Sequence, residues 1–230
     1  MGYLLHIETA TGVCSVALSR GAELLHIEEH TDSMRHSEII TLQIKKVLDA
    51  ASLSPSQLAA VSVSEGPGSY TSLRVGTSAA KALCYAHDLP LIAVNTLESL
   101  AYASRQYIEG GENYLYCPMI DARRMEVYAS VFDADMNTIV DNEPLILEEN
   151  TFERFVRNGD KIVFSGNGSV KAKTLYKGDE YIYSDIFCSA ANLVNIAANK
   201  YDEKNFVDLA YFSPNYIKAP NITTPKFKLL

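Results

Sequence analysis

The sequence lacks the features that mark secreted and membrane-spanning proteins. Its first residues do not combine a basic segment with an apolar one, so we expect no signal peptide. No apolar run approaches the roughly 20 residues that cross a bilayer, which predicts no membrane association. Cysteines are few, lie in apolar segments and form no CxxC pair: Cys14, Cys84, Cys117 and Cys188. We therefore expect reduced core thiols and a cytoplasmic location.

Positive charge is also scarce. The chain has 20 Lys and Arg against 28 Asp and Glu, which gives a net charge of −8. A protein that binds nucleic acid unaided usually carries a basic stripe that matches the phosphates. This sequence offers only a thin scatter near its end, at Lys218, Lys226 and Lys228. We expect the chain alone to be a poor RNA binder.

The first hundred residues alternate between strand and helix patterns. Short apolar or alternating stretches predict strands, and apolar residues at helical spacing predict helices. The predicted strands cover 3–9, 13–19, 23–29, 59–64 and 91–94. The predicted helices cover 36–51, 70–87 and 97–106, the last with Thr96 as N-cap. This β-β-β-α-β-α-β-α order fits an α/β fold of the ribonuclease-H-like type, a mixed five-stranded sheet flanked by helices.

The second half repeats the pattern of the first. A polar, glycine-rich stretch at 109–113 predicts a boundary between domains 1–108 and 109–230. Beyond it we predict strands at 114–120, 125–132, 138–147 and 161–165 and a helix at 152–157. An acidic residue ends the first strand of each copy, Glu8 in one and Asp121 in the other. The recurrence predicts a duplicated fold, with an irregular tail at 213–230 that is free to fold back on the body.

The first two helices carry residues that their own sheet does not require. The first helix has one apolar stripe suited to the sheet, made of Ile40, Ile44, Val47, Leu48 and Ala51. Ile39 and Leu42 point away from that stripe, which suggests contact with a partner. The second helix has small residues on one side that allow another helix to approach closely, at Gly76, Ala79 and Ala80 beside Leu83.

A long motif at 64–101, SEGPGSYTSLRVGTSAAKALCYAHDLPLIAVNTLESLA, resembles the signature of the TsaB (YeaZ) family. Shorter pieces occur in the expected order: HSE at 36–38, DARRMEVY at 121–128 and SPNYIK at 213–218. That family belongs to a superfamily with actin, sugar kinases and heat-shock chaperones. The resemblance therefore implies two ribonuclease-H-like domains that meet at a cleft.

The resemblance also implies that the chain is not an enzyme. TsaB-like proteins resemble TsaD, the catalytic subunit that installs threonylcarbamoyl on adenosine 37 of tRNAs reading ANN codons. In TsaD the strand corresponding to 91–94 leads into His-Leu-Glu-Gly-His, whose histidines bind the metal. Here Thr96 and Leu100 occupy those two positions. A hydroxyl is a poor ligand and leucine has no donor atom, so we expect neither a metal nor a cofactor.

Partners follow from the same resemblance. TsaB pairs with TsaD, the ATPase TsaE joins them, and tRNA is reached only through this complex; a homodimer is the alternative without TsaD. The implied contact surface is the first two helices, and we predict that it includes Ile39, Leu42, Ser69, Arg74, Gly76 and Lys81. On this prediction Gly76→Leu abolishes pairing and leaves the monomer folded, because leucine forces apart helices that need close approach.

Two glycine-rich turns are candidate nucleotide loops, at Gly66 with Gly68 and at Gly166 with Gly168. A turn of this kind between a strand and a helix presents backbone N–H groups that suit phosphate. The first turn lacks the lysine of a P-loop, and the second has less sequence context to support it. Tight turns in which glycine fixes the chain path are the favoured interpretation.

The remaining polar residues do not assemble a site. Glu8 and Asp121 stand where acidic residues of actin-like enzymes coordinate magnesium, but turn chemistry accounts for them without a metal. Arg123 and Arg124 could grip an anion or TsaD, or serve as ordinary charges on an exposed hairpin turn. His6 lies inside a strand, which favours a satisfied core or edge group over a catalytic one.

The competing interpretation is an enzyme, either a metal-dependent glycoprotease-like peptidase or a small-molecule kinase of the same superfamily. Stoichiometric iron or zinc in the pure chain would favour the peptidase. Tight binding of ATP·Mg by the isolated chain would favour the kinase.

Overall fold

A computed structural model describes residues 2–31, 35–108 and 111–218 of the chain. Lys226, Lys228, the first two residues of the predicted 109–113 boundary and the end of the predicted tail lie outside the described residues. The predicted division into domains 1–108 and 109–230 therefore stays a prediction.

The first half folds in the predicted order of elements. Its strands are β1 (Tyr3–Glu8), β2 (Cys14–Arg20), β3 (Glu23–His30), β4 (Leu58–Gly66) and β5 (Leu91–Asn95). Its helices are α1 (His36–Ala50), α2 (Tyr70–His87) and α3 (Thr96–Tyr107), with a 3₁₀ turn at Pro55–Gln57. The predicted cap of α3 is wrong by one residue, because the side chain of Asn95 accepts hydrogen bonds from the N–H groups of Leu97 and Glu98.

The second half repeats the order with shorter helices. Its strands are β6 (Tyr114–Asp121), β7 (Glu126–Phe132), β8 (Thr138–Ile146), β9 (Lys161–Ser165) and β10 (Tyr181–Tyr183). Its helices are α4 (Glu153–Val156), α5 (Ser169–Leu175) and α6 (Val194–Asp202), the last preceded by a 3₁₀ turn at Ala190–Leu193. Strand β10 and helix α6 carry patterns too short or too polar for the sequence analysis to predict.

The two sheets have the same topology, which confirms the duplicated fold. Their strand orders are β3-β2-β1-β4-β5 and β8-β7-β6-β9-β10. In each sheet the first three strands pair antiparallel and the remaining two join in parallel. The central strands β1 and β4 are buried on both faces, which explains why they read as continuous apolar runs. The mixed five-stranded sheets flanked by helices are as predicted.

Each half also contributes a helix to the other. Helix α3 belongs to the first half, yet Leu97 and Leu100 pack against Ile120 of β6. In return, α6 comes after the second sheet and packs on the outer face of the first, where Ile196 and Ala197 join Leu4, Ile92 and Val94. This exchange holds the two sheets together through apolar burial.

A C-terminal strap, which we define as residues 207–218, returns along the first half. Val207 forms a β-bridge with Leu91, and the N–H of Asn215 donates to the Glu65 carbonyl over 2.7 Å. The Tyr216 ring lies 4.5 Å from the ring of Tyr70, and Lys218 forms an ion pair with Glu126 of β7. The strap thus runs from the edge of the first sheet to the second.

Candidate functional site

An apolar groove lies between α1 and α2 on the surface of the first half. It encloses about 400 Å³, with Ile44 and Leu48 of α1 facing Ala79 and Leu83 of α2. The remaining lining residues are Thr41, Lys45, Asp49, Leu53, Pro55 and Ala82. The groove forms where the apolar stripe of α1, through Ile44 and Leu48, meets the apolar side of α2 at Ala79 and Leu83. A surface of this shape suits the apolar face of a helix from another chain.

The two α1 residues predicted to contact a partner lie beside the groove and do not line it. Leu42 is 54% exposed, and Ile39 is half-buried against the first core. Both belong to the side of α1 where Lys46 pairs with Glu28 of β3. An apolar partner surface there would rest on Leu42, and its contact with a partner stays a prediction.

Ser69 and Arg74, also predicted contact residues, are exposed at the start of α2. The N–H of Ser69 donates to the Ala10 carbonyl over 2.7 Å, which fixes the entry to the helix. The Arg74 guanidinium lies 5.6 Å from the centre of the Tyr70 ring. Both side chains are placed where a second molecule can reach them.

Gly76 and Lys81 are engaged within the chain. A Cβ atom on Gly76 would come within 2.3 Å of the Thr9 hydroxyl oxygen, so Gly76 lets α2 approach the turn after β1. The expectation that Gly76→Leu leaves the monomer folded is therefore wrong, because the clash lies inside the first half. The Lys81 ammonium donates to the carbonyls of Ala210 and Phe212, which fastens the C-terminal strap to α2.

The two glycine-rich turns are close-packed against the hairpins. Gly66 has a φ of +109° and Gly166 a φ of +80°, conformations that L side chains rarely adopt. A Cβ on Gly68 would meet the Ala10 carbonyl oxygen at 2.3 Å, and one on Gly168 would meet the Met119 side chain at 2.9 Å. These contacts support the tight-turn interpretation.

Backbone donors of the second turn are already used. The N–H groups of Gly166 and Gly168 donate to the carbonyls of Ile186 and Met119, and that of Ser169 donates to Gly166. A phosphate at this turn would compete with these bonds, although nucleotide binding at either turn stays an untested prediction.

The positions that correspond to metal ligands are closed by apolar packing. Thr96 and Leu100 are fully buried, and Leu100 packs with Leu97, Ile120 and Cys188. Within the described ranges, no three His, Cys, Asp or Glu side chains lie together in an arrangement that could hold a metal ion.

Glu8 and Asp121 accept hydrogen bonds in equivalent turns of the two halves, but Glu8 is buried and Asp121 is exposed. The N–H of Ala10 donates to Glu8 over 2.5 Å, and the N–H of Arg123 donates to Asp121 over 2.6 Å, which confirms turn chemistry for both. Glu8 is fully buried, and burial raises the pKa of its carboxyl to about 7 even though the Ser64 hydroxyl also donates to it. Nothing in the residues around Glu8 predicted this burial.

His6 and the cysteines behave as core groups. The His6 ring bonds the hydroxyls of Ser62 and Ser19 at 2.7 Å each, and burial lowers its pKa to about 3, so the ring is neutral. This confirms a satisfied core histidine. All four cysteines are buried free thiols, as predicted, and burial raises the pKa of Cys14 to about 11 and of Cys84 to about 12.

The chain resembles a known family of proteins in both sequence and fold. A family model described as TsaD, tRNA N6-adenosine threonylcarbamoyltransferase, matches residues 30–225. The structure of YeaZ from Pseudomonas aeruginosa superposes with a TM-score of 0.77 at 22% identity, covering 94% of this chain and 100% of that one. The chain therefore has the actin-like, ribonuclease-H-like fold and belongs to the TsaD family.

Within this family, the chain is similar to proteins named TsaB. The tRNA threonylcarbamoyladenosine biosynthesis protein TsaB of Escherichia coli is 28% identical over 222 residues, 94% of each chain. TsaB of Haemophilus influenzae is 37% identical over 127 residues, which span 55% of this chain and 52% of that protein. Within the wider family, this chain is a member of the TsaB (YeaZ) group.

No helix in the described ranges has the length and apolar character to span a membrane.

Proposed function

We propose that the chain is a non-catalytic subunit that pairs with TsaD in the threonylcarbamoylation of adenosine 37 of ANN-decoding tRNAs. The observation that carries this proposal is the burial of Leu100 in an apolar cluster with Leu97 and Ile120. The resemblance to TsaD matches that position to a metal ligand, and a leucine side chain has no donor atom. The names of the TsaB relatives support the pathway.

The groove between α1 and α2 is the docking surface in this proposal. Its apolar floor and its rim of Lys45 and Asp49 suit a helix of TsaD laid against both helices. Without TsaD, a second copy of the chain can cover the same surface. TsaE joins this pair, and tRNA is bound only by the complex.

The direct test is a reconstituted modification assay. TsaD and TsaE are supplied with tRNA, threonylcarbamoyl-AMP and ATP, with and without this chain, and modified nucleoside is measured. We expect no turnover from this chain alone and strong dependence on it in the mixture. Turnover by the isolated chain, or stoichiometric iron or zinc bound to it, would contradict the proposal and favour an enzyme.

Replacing one of two exposed alanines by arginine tests whether the groove is the interface with TsaD. Ala82 is an exposed residue that lines the groove, so Ala82→Arg places a charged side chain across it without touching the core. Ala50→Arg, at the end of α1 and outside the groove lining, is the matched control. We expect Ala82→Arg to reduce co-purification with TsaD at least about tenfold, which corresponds to about 1.4 kcal/mol. Equal loss in both variants would remove the groove as the interface.

A further inference from the structure

The turn between β6 and β7 holds two arginines in a conformation that costs energy. Arg123 has a φ of +72° and Arg124 a φ of +50°, a left-handed region that non-glycine residues occupy uncommonly. Hairpin turns with positive φ usually carry Asn, Asp or Gly. Both side chains are exposed, so packing does not account for them. Strain of this kind is often kept where a functional group must be presented.

Contacts between neighbouring residues connect the turn of these arginines to other cations, and we call the residues along these contacts the cationic surface. From one end, Arg74 lies over the ring of Tyr70, and that ring contacts Tyr216 of the C-terminal strap. Two residues later, Lys218 pairs with Glu126, at the end of the turn that presents Arg123 and Arg124. Contacts between neighbours thus connect the start of α2 to the second hairpin.

The surface ends at Lys171 of α5. Its ammonium donates to the Asp121 carboxylate and to the Glu126 carbonyl, both over 2.8 Å. Five cations lie on these residues, Arg74, Arg123, Arg124, Lys171 and Lys218, and two of them, Lys171 and Lys218, are paired with Asp121 and Glu126. This local excess of positive charge contrasts with the net charge of −8 for the whole chain.

We propose that this surface binds the phosphate backbone of RNA. Arg74, Arg123 and Arg124 form no ion pair with any of the described residues and are free to meet phosphates. In the proposed function the polyanion that the complex handles is a tRNA, which favours RNA over an acidic protein as the ligand. The inference deepens the proposed function, on which it rests: in the complex, this chain holds the backbone of the tRNA while TsaD acts on the base.

Binding of a fluorescein-labelled unmodified tRNA transcript tests the inference by anisotropy. It is measured on the complex with TsaD and on the chain alone at low salt. Arg123→Gln with Arg124→Gln should weaken binding about tenfold and lower the slope of log K against log[salt] by about 1.4 to 1.8, since two phosphate contacts are lost. The matched control is Arg154→Gln on α4 with Arg157→Gln directly after it, which should change neither quantity.

A second variant separates folding from binding. Arg123→Gly with Arg124→Gly relieves the backbone strain, so it should unfold at the same or a higher temperature and still lose RNA affinity. An unchanged salt slope in both turn variants would overturn the inference. So would equal arginine-dependent binding of polyglutamate, which would make the ligand an acidic polypeptide.

RNA binding and pairing with TsaD are measured separately, so that the failure of one proposal can be told from the failure of the other. Co-purification with TsaD is measured for the same variants and should be unchanged, since the turn lies outside the groove between α1 and α2. If the chain alone binds RNA through these arginines but does not pair with TsaD, the proposed function is contradicted and the RNA-binding surface is supported. Loss of pairing with RNA binding intact would show that the turn grips TsaD.

Discussion

The two halves of the molecule have sheets of the same topology, but different side chains and helices cover those sheets. In the first half α1 has 15 residues and closes the sheet with aliphatic side chains such as Ile40, Val47 and Leu48. In the second half α4 has only four residues, and aromatic side chains do the covering. A large ring replaces several aliphatic side chains where the helix is short, since aromatic residues bury more area each.

This difference leaves the two halves with different exposed surfaces. The long helices of the first half have surface left over, and it forms the apolar groove with α2. Among its described residues, the second half has no comparable pair of long helices, and its β6–β7 turn carries two exposed arginines. Two sheets of the same topology thus carry different surfaces, because the helices that cover them differ in length.

The largest effect should come from the aromatic cover of the second half. Phe152 packs edge-on against Phe164 and Tyr176, with ring centres 5.2 Å from each. We expect Phe152→Ala to lower the free energy of unfolding by about 3–5 kcal/mol, since four residues of α4 leave little else to fill the space. Urea denaturation measures it. Leu48→Ala on α1 is the comparison, and a cost as large as that of Phe152→Ala would show that helix length does not matter.

Next in size is the close contact between α2 and the first hairpin. Gly76→Leu forces a side chain against Thr9, and we expect it to lower the free energy of unfolding by about 3 kcal/mol. Ser78→Leu, two residues along and exposed, should cost less than about 0.5 kcal/mol. Thermal unfolding of both variants makes the comparison, and a stable Gly76→Leu monomer would restore Gly76 as a residue free for a partner.

Much of the fold could be predicted because its signals are local. Strands β1 and β4 are continuous apolar runs, and α1 and α2 have clear helical spacing with turn residues between them. The return of α6 to the first sheet could not be predicted, because its partners Leu4 and Ile92 are far away in sequence.

The candidate site was harder to predict for a similar reason. The groove needs both helices in place, and Ile44 and Leu48 read simply as core positions on α1. Likewise, the sequence shows Lys218 only as one of a few scattered lysines. Its ion pair with Glu126 depends on the path of the strap, and so does the contact of Tyr216 with Tyr70. Sequence motifs located these residues without revealing what lies beside them.

The pair Glu8 and Asp121 gives the third prediction. Burial raises the pKa of Glu8 from 4.5 to about 7, so the folded state holds the proton more tightly than the unfolded state. This contribution to stability is fully present below pH 4.5 and is lost as pH rises through 7. At about 1.4 kcal/mol for each pKa unit, the loss approaches about 3 kcal/mol.

Glu8→Gln removes the ionisable group and should flatten this dependence. Relative to the wild type, it should gain up to about 3 kcal/mol in free energy of unfolding between pH 5 and pH 8, by urea denaturation. Asp121→Asn, which loses one ion pair with Lys171 at a partly exposed site, should differ from the wild type by less than about 1 kcal/mol. Parallel curves for Glu8→Gln and the wild type would mean that Glu8 is solvated in the native protein.

The smallest effect tests how the strap ties the halves together. Lys81→Met keeps the apolar stem and removes the ammonium that donates to the carbonyls of Ala210 and Phe212, so we expect a loss of about 1–2 kcal/mol. Lys45→Met breaks only an exposed pair with Asp49 and should cost less than about 0.5 kcal/mol. Because the strap is local, limited proteolysis should cut Lys81→Met faster within 207–218 while cleavage elsewhere is unchanged. Equal cleavage rates in the two variants would mean that Val207 and Asn215 hold the strap without Lys81, leaving this side chain available to a partner.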